Sequence, residues 1–283
     1  MKKSILFLAC AAILSVGCAK VEREDPAPEK GKRHLTLRAT VDEPRTRLSV
    51  TNSGKFSWQQ DDEIVYLTES DGSYNAPKWA QTYSDAPTGD FEIELDEDET
   101  VRYAMYPASD YSGFSTSADA PVFGLDDNYE YKLGSTYMPM LGSNFTIDDD
   151  NMMKASFRAV GGVLKLTVKN FPVDEEDIEY LRLSVPNKKI TGAFPILEDS
   201  DGVKYIETVD NTLETNHIDF FFRGGYYEKT MIFYFPLPCG TYNNLKFTLF
   251  DGYDDPIFSK TAQIDGGLTV HRNEVITAPT LNL

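Results

Sequence analysis

The sequence predicts an all-β protein, a sandwich or a barrel. Three observations predict it: many short segments alternate apolar and polar residues, turn-forming clusters separate them, and no long segment carries helical spacing. LTLRATV (35–41) sets Leu35, Leu37, Ala39 and Val41 against Thr36, Arg38 and Thr40. FEIEL (91–95) alternates Phe91, Ile93 and Leu95 with glutamates, and VRYAM (101–105) follows the same rule. LKLTVKN (164–170) and LKFTLF (245–250) complete the set. Two more continuous runs, EIVYL from Glu63 and MIFYF from Met231, suit strands buried on both faces. The punctuation is NSG at Asn52, SDG at Ser70 and Ser200, RGG at Arg223, FDG at Phe250 and DGG at Asp265. The best helix candidate is short, VDEEDIEYL from Val173, where early acidic residues suit a first turn.

The N-terminus dictates export. Lys2 and Lys3 precede an apolar run, Ile5 to Val16, of signal-peptide length and too short to span a bilayer. Small residues then lead into a cysteine in LSVGC, which resembles the lipobox of bacterial lipoproteins. That resemblance implies cleavage after Gly17, with diacylglycerol on the Cys18 sulfur and an acyl chain on its amine, palmitate being the usual fatty acid. Two or three chains anchor durably where one does not. Residues 1–17 are therefore expected to be a signal peptide, and residues 18–33, charged and proline-containing, a disordered tether. Glu22, Glu24 and Asp25 resemble the tag that sends lipoproteins to the outer face of the outer membrane.

Composition narrows the function. A net charge of −18 argues against nucleic acid and against anionic headgroups, and suits a solvated exported surface. Of three cysteines, Cys10 leaves with the signal and Cys18 carries lipid, so Cys239 has no partner for an intramolecular disulfide. It reads as a small buried thiol beside a turn. His34, His217 and His271 lack ligand-spaced neighbours, and Asp148, Asp149 and Asp150 lack the spaced oxygens and glycine of a calcium loop. No metal or cofactor is expected. No G-x-S-x-G elbow, phosphate loop, zinc motif or cysteine–histidine nucleophile signature is present, and catalysis is not expected.

About 250 residues follow the tether, enough for one large or two ordinary domains. The charged SNFTIDDDNMM (143–153) marks a boundary, giving domains over 34–150 and 151–283. The order of motifs resembles the fimbrillin family, related to type V pilus subunits. SGKFSWQQDDEIVYL is similar to its "turn, F-x-W, x-x-D-x-I" segment, and RYAMYP to its proline-ended aromatic strand. FRAVGGVLKLTVKN, FPLPCGTYNNLKFTLFD and LTVHRNEVITAP are similar to its later strands. The resemblance implies two tandem transthyretin-like β-sandwich domains, an outer-membrane lipoprotein precursor, and partners in the form of other pilus subunits. It implies that an arginine-specific protease removes the tether and first strand, and that a strand from the next subunit fills the groove.

On that reading Leu35 to Val41 is the removable strand, and Arg38, Arg45 and Arg47 are candidate cut sites. Arg45 and Arg47, after Pro44, look more accessible than Arg38. The alternative is that these arginines merely face outward and the lipid stays attached. Little chain follows the last recognisable strand, which favours a tip or accessory role over a stalk role. A second function class is a non-polymerising lipoprotein that binds a glycan, or another host or bacterial surface ligand, through exposed aromatics. Trp79, with Tyr74 and Tyr83, is the candidate platform, while Trp58 lies in an alternating segment and is expected in the core.

Overall fold

The computed structural model describes residues 31–41, 57–83, 86–115, 120–132, 137–148, 151–172, 178–210, 216–222 and 228–283. Cys18, Arg45, Arg47, Asp149 and Asp150 lie outside the described residues. Among those described there is no helix. The strands of the first half are β1 (Lys32–Val41), β2 (Glu63–Ser70), β3 (Ser73–Tyr74), β4 (Lys78–Gln81), β5 (Thr88–Asp96), β6 (Thr100–Tyr106), β7 (Gly113–Ser115), β8 (Ala120–Leu125), β9 (Asn128–Glu130), β10 (Met140–Ile147) and β11 (Met152–Ala159). Those of the second are β12 (Gly162–Lys169), β13 (Ile178–Ser184), β14 (Gly192–Pro195), β15 (Leu197–Glu198), β16 (Lys204–Tyr205), β17 (His217–Phe221), β18 (Thr230–Leu237), β19 (Gly240–Asp251), β20 (Pro256–Val270), β21 (Val275–Thr277) and β22 (Leu281–Asn282).

The first body is an eight-stranded sheet, in the order β3-β2-β6-β10-β11-β1-β5, with β4 also paired to β2. Its right-handed twist brings the two ends together. An isolated bridge between Thr82 and Phe91 joins the β4 end to β5, and the Tyr66 hydroxyl donates to the Glu94 carbonyl at 3.2 Å. The closed face holds Leu35, Leu37, Ile64, Phe91, Ile93 and Phe157. Trp58 is at its centre, edge-on to Phe91, Tyr106 and Phe157 at 5.1 to 5.4 Å. Gly89 makes room for it: a Cβ there would come within 2.8 Å of the indole.

The second body is a sandwich. A four-stranded sheet, β18-β12-β21 with β22 also on β12, faces a five-stranded one, β20-β19-β13-β17-β9. Between them lies an aromatic-rich core that includes Phe220, Phe233, Phe235, Phe247, Leu164 and Leu183. The alternating segments dictate this, since each presents one apolar face to the opposite sheet.

The expected division at residue 150 does not coincide with the sheets. β11 lies beyond it yet pairs β1 and β10 in the first sheet, because Met153, Ala155 and Phe157 continue that core. The halves also interleave. β8 pairs β14, and β9 forms the far edge of the second body beside β17. A third cluster, Val65, Leu67, Met105, Phe123, Leu141 and Phe194, fills the space between the outer face of the first sheet and the β7-β8-β14 sheet. β2 is therefore buried on both faces as expected from EIVYL, whereas β18 alternates buried with half-buried positions.

Two expectations are corrected. The segment expected to be helical is strand from Ile178 onward, because ladders to β17 and β19 on both sides outweigh a short acidic helix start. Residues 173–177 of that segment lie outside the described residues. DGG at Asp265 is not a connection between strands. It lies within β20, where Gly266 and Gly267 take φ of +79° and +77° and the β19 register shifts. SDG at Ser70 is the expected tight turn, with Asp71 and Gly72 both at positive φ between β2 and β3.

Truncating Trp58 removes the ring that three others pack on. Trp58→Ala is expected to cost about 3–5 kcal/mol in urea unfolding, with a lowered midpoint and an unchanged slope.

Candidate functional site

β1 is an interior strand. It runs antiparallel to β5 over nine residue pairs, Lys32↔Asp96 to Thr40↔Thr88. It runs parallel to β11 over six, Thr36↔Met152 to Val41↔Phe157. Both of its backbone edges are thus engaged. Odd positions enter the core: Leu35 is 6% exposed and Leu37 and Ala39 are sealed. Burying two leucines stabilises by about 1.5–3 kcal/mol each. Removal of β1 would leave a slot with an apolar floor and two unpaired strand edges, those of β5 and β11.

Even positions form an outer face. Lys32 Nζ lies 2.8 Å from Glu94, whose carboxyl it holds below the usual range. His34 Nε2 is 3.9 Å from the same carboxylate. Arg38 grips Asp90 with both nitrogens, at 2.8 and 2.7 Å, and that hydrogen bond raises the guanidinium pKa further. On the far side of Arg38, Lys154 is neutralised by Asp148 at 3.1 Å. Asp148 also accepts from the Met152 amide, and no group of described residues could hold a metal ion. On this face an open cavity of about 470 Å³ is lined by His34, Leu35, Thr36, Glu92, Ile93, Glu94 and Asn151.

The upper end of β1 is tied by Arg33, which donates to the Glu99 carbonyl at 2.6 Å. Glu99 is a buried carboxylate. Burial pushes its pKa up, but hydrogen bonds from Lys78, the Asp96 amide and the Thr68 hydroxyl outweigh this and leave it lowered.

Arg38 sits mid-ladder, so its peptide bond is held on both sides while β1 is in place. Trp79 is 49% exposed on β4, opposite Val65, while Trp58 is sealed in the core as expected. Tyr83 is 68% exposed, and Tyr74 is stacked on Phe114 at 3.7 Å. Among the described residues no ring contact joins these three into one platform. Cys239 is half-buried, its thiol 3.8 Å from the Val160 carbonyl and pushed up to about 11 by burial. Sequence reasoning missed the acidic row of β5, namely Asp90, Glu92, Glu94 and Asp96. Its alternation was visible, but not the cationic strand it faces.

No family model matches the chain, and no curated protein matches it. Solved structures do resemble it. A "putative cell adhesion protein" from Bacteroides uniformis is 14% identical with a TM-score of 0.45, covering 88% of this chain and 92% of that one. Another from Bacteroides ovatus is 11% identical with a TM-score of 0.47, covering 89% and 93%. The tip fimbrial protein Mfa3 from Porphyromonas gingivalis, with a C-terminal truncation, is 12% identical with a TM-score of 0.32, covering 82% and 81%. At these scores the likeness stands as a likeness, and the functional reading rests on the strand geometry.

Proposed function

We propose that this chain is a fimbrillin-like surface lipoprotein, a structural or adhesive component of a pilus. Lipid on Cys18 holds it at the outer membrane, and β1 fills a slot later taken by a strand from another subunit. The observation that supports this is the position of β1: the first described strand, following the lipid-tether sequence, yet an interior one with both edges bonded. Cleavage beyond Val41, at Arg45 or Arg47, would free it without breaking a ladder residue. Arg38 is the less suitable site, since its bond is reached only after β1 has left. Segment 275–283 is not a free donor strand. Val275–Thr277 and Leu281–Asn282 pair with β12, and Leu281 is buried there, so this segment is committed to its own sandwich. Nothing in this role calls for catalysis.

Mass spectrometry of the protein sheared from cells tests the reading. The expected N-terminus is Thr46 or Leu48 in assembled material. Acylated Cys18 at the start of filament-borne chains would reject processing.

The exposure of Trp79 favours a second reading, in which the lipid is permanent and the surface binds a glycan. Sugar rings stack on exposed indoles, and Trp79 on edge strand β4 is the one tryptophan that could offer its face. On that reading, glycan-array binding is expected to disappear in Trp79→Ala while the free energy of urea unfolding stays within about 0.5 kcal/mol of the parent. Unchanged array signal in the variant would discard it.

A further inference from the structure

The slot occupied by β1 is not electrically neutral. Along β5 the outward residues are Asp90, Glu92, Glu94 and Asp96, in register with Arg38, Thr36, His34 and Lys32 of β1. Directly opposed residues in an antiparallel pair attract or repel across one rung, and like charges there destabilise. The occupant in place answers two of these carboxylates: Arg38 meets Asp90 directly across its rung, and Lys32 reaches Glu94 diagonally, its own register partner being Asp96. Opposite Glu92 it places no charge. Thr36 is too short to meet Glu92, and the cavity of about 470 Å³ opens at that rung.

We infer that the strand replacing β1 comes from a different polypeptide and is cationic on its outer face, with lysine or arginine opposite Asp90, Glu92 and Glu94 and apolar residues between. This rests on the reading that β1 is replaceable, and it names the kind of partner that replaces it. The apolar floor accepts many alternating strands, whereas the acidic rim rejects those with carboxylates on their outer face. Segment 275–283 of this chain, VITAPTLNL, carries no cation and is engaged with β12, so it does not meet the requirement. β1 itself meets it incompletely. A long cationic side chain at the Thr36 rung would occupy the cavity and pair Glu92, so a better-matched strand displaces β1 rather than merely equalling it.

The experiment uses the full chain with a site-specific protease sequence placed between Val41 and Ser57. After cleavage, β1 is released in urea and the body is returned to buffer with a labelled peptide. Three peptides of residues 32–41 are compared by anisotropy: the native sequence, Lys32→Glu with Arg38→Glu, and Thr36→Arg. The native peptide is expected to bind. The reversed one is expected to bind about tenfold more weakly, recovering on a body carrying Asp90→Lys and Glu94→Lys, with the difference shrinking in 0.5 M salt. Thr36→Arg is expected to bind about two- to fivefold more tightly, the size of a cross-strand charge pair. Equal binding of native and reversed peptides would overturn the charge selection while leaving strand replacement standing. Failure of the native peptide to bind a refolded body would overturn replacement, and the inference with it. The same reversals in the uncut chain give a reading free of refolding. Lys32→Glu with Arg38→Glu should lower the urea midpoint and the β5 reversals should restore it, and absence of that recovery would overturn the inference.

Discussion

Backbone amides and carbonyls on both edges of β1 must find partners, and β5 and β11 supply them. The rest of the first body depends on this insertion. β5 meets the β4 end through the Thr82–Phe91 bridge and through Lys78, whose Nζ donates to the Glu94 carbonyl at 3.3 Å, and in the sheet order β1 stands between β11 and β5. With β1 absent, the sheet ends as two open edges flanking Leu-sized pockets. Such a slot is a template for an alternating strand, since main-chain hydrogen bonds supply affinity and the pockets supply register. A missing edge strand would leave a sheet one strand narrower; a missing interior strand leaves a gap that only another strand closes.

Affinity and discrimination fall on opposite faces of the same ten residues. Leu35, Leu37 and Ala39 point inward and are nearly or wholly sealed from water. Lys32 and Arg38 point outward onto carboxylates of β5 and remain partly solvated, so each pair contributes little to stability by itself. Half-exposed charges select more than they stabilise, because a mismatched strand meets repulsion on successive rungs. The second body is built differently. Its aromatic core closes between two sheets of its own, and segment 275–283 completes one of them.

Much of this was legible in the sequence. Period-two alternation located β1, β5, β6, β12 and β19, because each half-buried strand writes its two faces into alternate residues. Trp58 was assignable to the core from the same alternation. The domain boundary was not legible. DDD at 148–150 reads as a linker, yet it is followed by β11, whose pairing with β10 and β1 is nonlocal and leaves no local mark. The DGG bulge in β20 resembles a turn because both need positive φ. From Ile178 onward the segment expected to be helical is strand, held by ladders on both sides of β13 that only nonlocal partners supply. Arg38 showed as a basic residue in a strand, but its partner Asp90 is 52 residues away, and only the register reveals the acidic row. The crossing of β8 and β9 into the second half was invisible for the same reason.

The central claim is that β1 leaves its slot before assembly. Locking it tests that most directly. Thr36 and Glu92 are register partners across β1 and β5, and Cα atoms of such antiparallel partners stand within disulfide range. In cells that assemble the protein, Thr36→Cys with Glu92→Cys is predicted to reach the surface when oxidised yet be missing from sheared filaments, and to enter them once reductant is supplied. Filaments containing the oxidised, locked chain at the parental level would contradict the account.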